Sequence, residues 1–67
     1  MSKPSNLQRV LRRRRKALGL TQQQLAKLAG TTRGHVAQLE IGIRTNPSLS
    51  VLKRLARALR VPLIDLL

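Results

Sequence analysis

The chain contains no cysteine and no aromatic residue. Without cysteine there is no disulfide framework and no thiolate metal site, so the fold depends on aliphatic packing, supplemented at most by oligomerisation. The 67 residues make one small domain, and a domain of this size buries only about 60% of the surface that its unfolded chain exposes. There is little room for an enzyme pocket.

Side chains that perform chemistry are also scarce. One histidine, His35, and two acids, Glu40 and Asp65, cannot form the usual clusters for metal ligation or acid–base work. We therefore expect no enzymatic activity and no metal or other cofactor. There is no 18-residue apolar run and no hydrophobic signal-peptide segment at the N-terminus. We expect a soluble, cytoplasmic protein.

Positive charge, in contrast, is abundant. Fourteen Lys and Arg residues stand against two acids, for a formal net charge of +12. This imbalance on a small domain implies a polyanionic partner, which could be DNA, RNA or an anionic membrane. A surface that only keeps a protein in solution normally mixes both signs. The absence of aromatic residues argues against single-strand stacking and against a membrane-active peptide.

A short, flexible and polar arm, residues 1–4, precedes the first predicted helix. Ser5 opens this helix and Gly19 ends it. Its apolar positions are Leu7, Val10, Leu11 and Leu18. The cationic run 12–16 lies within the helix, and successive residues are 100° apart, so at least one cation points inward. Arg14 and Arg15 lie in or beside the apolar stripe, and one of them needs a buried or half-buried partner.

Two short helices follow in close succession. Thr21 caps the second helix, which Gly30 ends, and Thr32 caps the third, which Gly42 ends. The apolar face of the second helix consists of Leu25, Ala26, Leu28 and Ala29. Only Gly30 and Thr31 lie between the second helix and the next cap. Helices joined by so tight a turn cross steeply, which is typical of a helix-turn-helix.

The third helix carries the strongest functional signal. Val36 and Leu39 fall on one side with Glu40 at its edge. The opposite side lacks acids and contains Arg33, Gly34, Ala37, Gln38 and Ile41. Arg and Gln one turn apart can pair bidentately with guanine and adenine in the major groove. A glycine inside a helix costs about 1 kcal/mol relative to alanine, a cost that a solvent-facing helix has no reason to accept.

Two more helices are predicted after Pro47. Ser48 caps the fourth, which covers 49–59, with inward positions Leu49, Leu52, Leu55, Ala56 and Leu59. Pro62 occupies the first position of the fifth, 62–67. The last segment is more apolar than one small core requires: Leu63, Ile64, Leu66 and Leu67. Part of it is therefore a candidate dimer patch or a junction to a missing domain.

From Leu11 to Leu67 the chain resembles the Cro/cI-type (XRE) helix-turn-helix family, the fold of the lambdoid phage repressors. The resemblance is carried by Leu18-Gly19-Leu20-Thr21-Gln22, Leu25-Ala26, Ala29-Gly30, Val36, Leu39-Glu40, Leu52, Leu55-Ala56, Ala58-Leu59 and Leu66. The loop Thr45-Asn46-Pro47-Ser48 resembles the SinR-like branch. The resemblance implies an all-α, five-helix, lambda-repressor-like domain over residues 5–67, with the helix-turn-helix at about 21–41.

The resemblance also implies roles for single residues. The positions that would face base edges are Arg33, Gly34, Ala37 and Gln38. Those that would contact DNA phosphates are Gln22, Thr32, His35, Arg44, Thr45 and Asn46. Arg15 and Glu40 would form a largely desolvated ion pair between the first and third helices. Members of the family often have Gly or Asn where this chain has Arg60, so we expect either strain or a different shape in the turn before the fifth helix.

The resulting hypothesis is sequence-specific binding of double-stranded DNA by a bacterial or phage transcriptional regulator, with a repressor favoured over an activator. A homodimer would bind a palindromic operator, and the DNA-bound protein would be associated with the nucleoid. One alternative is an antitoxin that binds both DNA and a partner protein, which a pull-down would reveal. Another is a basic RNA-binding protein, which competition between duplex DNA and RNA would reveal.

Overall fold

The computed structural model describes residues 6–43 and 47–67. Its elements in chain order are α1 Asn6–Ala17, α2 Gln22–Ala29, α3 Arg33–Ile41, α4 Leu49–Leu59 and a 3₁₀ turn, Leu63–Leu66. The predicted all-α class is confirmed. None of the described helices has the length and apolarity needed to cross a membrane. The N-terminal arm and the Ser5 cap fall outside the described residues.

The predicted caps set where the middle helices begin. The Thr21 hydroxyl accepts a hydrogen bond from the Gln24 amide at 3.0 Å, and the Gln24 side chain accepts one from the Thr21 amide at 2.8 Å. This capping box satisfies two backbone donors at the start of α2. The hydroxyls of Thr32 and Ser48 cap α3 and α4 in the simpler one-bond form.

The turn between α2 and α3 depends on Gly30. Its φ of 66° lies in the left-handed region, which glycine adopts without a steric penalty. In this conformation the Thr31 amide donates to the Ala26 carbonyl at 2.9 Å, so the last turn of α2 is closed by a Schellman motif. The next residue, Thr32, already caps α3. The helix-turn-helix predicted at about 21–41 therefore forms, and Gly30 and Thr31 are its turn.

The core is aliphatic and receives residues from every element. α2 packs against α3 and α4, while α1 packs against α3, α4 and the C-terminal 3₁₀ turn. The buried apolar residues are Leu7, Val10, Leu11, Leu25, Ala26, Ala29, Val36, Leu39, Leu55, Ala56, Leu59 and Leu66. With no ring to fill space, close packing of branched side chains provides the apolar burial.

Two leucines expected in the core lie outside it. Leu28 is 61% exposed and Leu49 is 55% exposed. The buried positions of α2 are Leu25, Ala26 and Ala29, and Leu28 lies about 110° from the centre of that arc at 100° per residue. The buried residues of α4 all belong to its C-terminal half, and Leu49, the first residue of the helix, lies beyond the core. The inward assignments of Leu28 and Leu49 were wrong.

The predicted fifth α-helix is a 3₁₀ turn of four residues, and Pro62 precedes it instead of starting it. Asp65 donates its backbone N–H to the Pro62 carbonyl at 3.0 Å. Three residues per turn place positions i and i+3 on one side, and Leu63 and Leu66 accordingly contact the core. An α-helical turn would rotate these two side chains apart, so core packing favours the tighter turn.

The left-handed residue after α4 is Arg60, with φ 58°, the one described non-glycine residue with positive φ. Its amide and that of Val61 close a Schellman motif on the last turn of α4. Arg14 of α1 donates to the Leu59 carbonyl from Nε at 3.3 Å and from Nη2 at 3.1 Å. The cation thus stabilises the negative end of α4.

Replacing Arg60 by glycine should stabilise the domain by about 0.5–1 kcal/mol. The substitution removes about 1–2 kcal/mol of strain from the left-handed residue. Glycine also has more conformational entropy in the unfolded chain, and this cancels part of the gain in stability. For a domain of this size the melting temperature rises by about 3–6 °C, measurable by far-UV circular dichroism. Arg57→Gly, inside α4 with the same loss of charge, should instead lose about 1 kcal/mol. A lower melting temperature for Arg60→Gly would contradict the claim that the left-handed conformation of Arg60 destabilises the domain.

Candidate nucleic-acid interface

The outward side of α3 is polar at its start and apolar at its end. Arg33 and Gly34 are exposed, Ala37 and Gln38 are half-buried, and Ile41 is 61% exposed. Val36, Leu39 and Glu40 point the other way and are buried. The four residues predicted to face bases therefore share one accessible face, which contains no acid.

Gly34 does not serve internal packing. A Cβ built on it meets no atom within 4 Å, and its φ lies outside the left-handed region. Neither a close neighbour nor the backbone conformation requires glycine here. The helix nevertheless accepts the loss of about 1 kcal/mol that glycine causes. Packing and backbone conformation within the described residues therefore do not explain this glycine.

 An open depression of about 500 Å³ lies beside this face. The depression is lined by Thr31, Thr32, Gly34, His35 and Gln38.

Two threonines hold the histidine at the edge of this depression. The Thr31 hydroxyl and His35 Nδ1 are 2.8 Å apart, and the Thr32 hydroxyl accepts from the His35 amide at 3.1 Å. The ring is therefore tied through Nδ1, and Nε2 is the nitrogen left to face a partner. Thr31 was not among the predicted site residues, although its spacing of four residues from His35 was a usable signal.

Gln22 lies at the first position of α2 and is half-buried. Its Nε2 donates to Glu40 Oε1 at 3.4 Å. The side-chain amide has a second N–H, and the N-terminus of α2 has the positive end of the helix dipole. The structure thus places Gln22 next to the expected ion pair, in a position where the same amide can also donate to an anion.

Arg15 and Glu40 form a two-bond ion pair between α1 and α3. Arg15 Nε donates to Glu40 Oε2 at 2.7 Å, and Nη2 donates to Oε1 at 3.0 Å. The exposed fractions of the two side chains are 12% and 3%. Arg15 Nη1 also donates to the Leu20 carbonyl at 2.8 Å. The hydrogen bond to Glu40 raises the pKa of Arg15, burial opposes this, and the carboxylate charge raises it further.

The ion pair compensates two charges that are each in an unfavourable position. Glu40 lies in the last turn of α3, where the helix dipole disfavours a negative charge, and Arg15 lies within the mostly buried side of α1. Each would be costly alone, since an unpaired buried charge typically costs several kcal/mol. Throughout the described residues, every buried side-chain nitrogen and oxygen has a hydrogen-bond partner.

The predicted contact residues fall into two groups. Gln22 lies beside the ion pair at the start of α2, while Thr32 caps α3 and His35 and the base-facing residues lie on that helix. The predicted phosphate contacts Arg44, Thr45 and Asn46 fall outside the described residues. Over residues 6–43 and 47–67 no group of three or more His, Asp or Glu could hold a metal ion.

Comparison with known proteins identifies the family. A model of helix-turn-helix domains matches residues 11–66, which is most of the chain. The chain belongs to this family. It is a DNA-binding helix-turn-helix domain of the Cro/cI type found in transcriptional regulators. The family is one of regulators and not of enzymes.

Two relatives are themselves named as regulators. An uncharacterized HTH-type transcriptional regulator of Methanothermobacter thermautotrophicus is 50% identical over 50 residues, which are 75% of this chain and 71% of that protein. The HTH-type transcriptional regulator SlrR of Bacillus subtilis is 36% identical over 58 residues, or 87% of this chain and 38% of SlrR. The second match agrees with the SinR-like resemblance of the sequence.

Two solved structures share the fold. The restriction-modification controller protein C.AhdI from Aeromonas hydrophila superposes with a TM-score of 0.84 at 39% identity, covering 92% of each chain. A structure of cobalt(II) HppE in complex with substrate has a TM-score of 0.81 at 28% identity. That match covers 97% of this helix-turn-helix domain but 36% of the HppE chain. The likeness to HppE therefore concerns one part of that protein.

Replacing Glu40 by alanine should destabilise the domain by about 3–5 kcal/mol, because it leaves the Arg15 guanidinium buried without its partner. A domain of this size has a total stability of only a few kcal/mol, so the variant should be unfolded or marginal in far-UV circular dichroism. Asp65→Ala, at an exposed acid, removes the same charge and should change stability by at most about 0.5 kcal/mol. Melting of Glu40→Ala within a few degrees of the parent would refute the role of the pair.

Proposed function

We propose that this domain binds a specific double-stranded DNA sequence by placing α3 in the major groove, and that it acts as a transcriptional repressor. The observation that carries the proposal is the accessible face of α3. This face presents Arg33 and Gln38 five residues apart, about 1.4 helical turns, with Gly34 and Ala37 between them. Arg can donate two hydrogen bonds to guanine, Gln can donate one to adenine and accept one from it, and the two small residues permit close approach.

Phosphate contacts on both sides of this face would fix its register on the duplex. We assign them to Gln22 at the start of α2, to Thr32 and His35 at the start of α3, and to the loop 44–46. Gln22 fits such a contact because Glu40 orients its amide, and His35 fits because Thr31 orients its ring. The net charge of +12 favours phosphate binding as a whole.

We further propose that two copies bind a palindromic operator. One α3 reads one half-site, and a symmetric dimer reads two half-sites about one helical turn apart. The C-terminal 3₁₀ turn supports this step, because Ile64 and Leu67 are 71% and 66% exposed while Leu66 is buried. Two exposed apolar side chains at one end of the domain fit a contact with a second copy better than contact with water.

Selection of bound sequences from a random duplex pool tests these assignments together. We expect a preferred site made of two inverted half-sites. For Arg33→Ala we expect weaker binding by about 1–3 kcal/mol, with sequence preference lost mainly at one position of each half-site. Arg44→Ala, expected to lose a phosphate contact, should weaken all sequences alike. No enrichment would reject sequence-specific binding, and a single half-site would reject the dimer.

Replacing Gly34 by alanine separates stability from binding. Because the new Cβ meets nothing inside the domain, stability should rise by about 1 kcal/mol. The same methyl group points toward the DNA, so affinity for the selected site should fall by about tenfold, which is about 1.4 kcal/mol. Thermal melting and a binding titration measure the two effects. Unchanged affinity in the stabilised variant would show that α3 does not approach DNA closely at this residue.

A further inference from the structure

The outer side of α1 carries four cations that the proposed function does not use. Arg9, Arg12, Arg13 and Lys16 are all exposed and lie within about 100° of one another around the helix. We call these four residues the α1 cationic face. They also line the groove of about 540 Å³ beside α1, together with Asn6, Gln8, Val10 and Glu40.

These charges are not neutralised within the described part of the protein. The chain has two acids. Glu40 pairs with Arg15, and Asp65 forms no ion pair with a described cation. Within the face, the hydrogen bond seen is from Arg9 Nη2 to Asn6 Oδ1 at 3.4 Å. The four cations are therefore available to an external anion.

The arrangement is unfavourable for the helix itself. Neighbours three and four residues apart lie next to each other on a helix surface, and like charges at that spacing repel. The face contains four such pairs: Arg9 with Arg12 and with Arg13, and Lys16 with Arg12 and with Arg13. The fold gains nothing from these contacts. An external polyanion would convert this repulsion into attraction.

The face is distinct from the surface that reads DNA in the proposed function. α1 contacts the rest of the domain through its opposite side, where Leu7, Val10 and Leu11 are buried. None of the four cations belongs to α2 or α3. A ligand bound here would therefore add to the contacts made by α3 without competing for its side chains.

The chemistry of the face favours nucleic acid over a protein partner. Stable protein interfaces centre on large apolar or aromatic anchors, and α1 has no exposed large apolar residue. Among the described residues, the exposed large apolar side chains lie outside α1: Leu28, Ile41, Ile43, Leu49, Ile64 and Leu67. Three of the four cations are arginines, whose planar forks match phosphate oxygens.

We propose that the α1 cationic face binds the phosphodiester backbone of duplex DNA outside the base pairs that α3 contacts. From Arg9 to Lys16 the helix rises about 10 Å, which spans about three phosphates of one strand along the duplex axis. The backbone comes either from the flank of the bound duplex or from a second duplex. The proposal does not depend on the sequence that α3 reads.

The test compares two triple variants that lose the same charge. The first is R9Q/R12Q/R13Q in the face, and the matched control is K27Q/K53Q/R57Q on the exposed sides of α2 and α4. Affinity for a random-sequence 40-base-pair duplex is titrated over a range of salt concentrations. We expect the slope of log K against log salt to become shallower by about 2–3 in the face variant, and by less than about 1 in the control.

Two further arms identify the source of the phosphates. If the flank is bound, the face variant and the parent differ on the 40-base-pair duplex and bind a 12-base-pair duplex alike. If a second duplex is bound, the parent captures a labelled duplex onto an immobilised one, and the face variant does not. Melting by far-UV circular dichroism should show a face variant at least as stable as the parent, since repulsion has been removed.

The proposal is overturned if both triple variants lose the same affinity and the same salt dependence. It is also overturned if the face variant keeps its DNA affinity and loses only binding to polyglutamate, which would assign the face to an acidic protein. If α3 does not read the bases, the result is different. The parent then shows no sequence preference, while the two triple variants still differ in the slope of log K against log salt.

Discussion

The Arg15–Glu40 ion pair is the interaction on which the rest of the structure depends. One carboxylate, buried in the last turn of α3, accepts from the guanidinium of α1 and from the Gln22 amide at the start of α2. The same guanidinium reaches the Leu20 carbonyl in the segment between α1 and α2. Three helices are thus held at one point by a group that tolerates little displacement, because each partner would otherwise be a buried, unpaired charge. The orientation of α3 follows from this point as much as from apolar packing.

The remaining charges show how a small domain divides its surface between stability and binding. Apart from this pair, the described cations form no ion pairs with the chain's acids, and the net charge is +12. Self-repulsion of this kind opposes compact folding. The aliphatic core, the threonine and serine caps and the left-handed turn residues offset it locally. Binding to a polyanion relieves the repulsion, so folding and DNA binding are thermodynamically coupled in this domain.

Local chemistry made most of the fold predictable. Caps such as Thr21 and left-handed residues such as Gly30 act within a few residues, so the bounds of the middle helices could be read from the sequence. Tertiary context was harder to predict: Leu28 is apolar and helical yet exposed, because the buried arc of α2 is narrow. The 3₁₀ geometry after Pro62 depends on how Leu66 meets the core, which no local pattern shows. For the site, the ion pair is present where the family resemblance implies it, whereas the DNA contacts remain predictions.

The C-terminal 3₁₀ turn places alternate apolar residues on two sides, one toward the core and one toward solvent. Leu63 and Leu66 contact the core, while Ile64 and Leu67 point to solvent, because a 3₁₀ turn repeats every three residues. Substitutions at Ile64 and Leu67 can therefore change the exposed surface of this end of the domain without disturbing the core. In the proposed dimer, these two positions would therefore change the contact between copies without changing the core. The turn therefore lets the outer surface of the domain change while the fold stays constant.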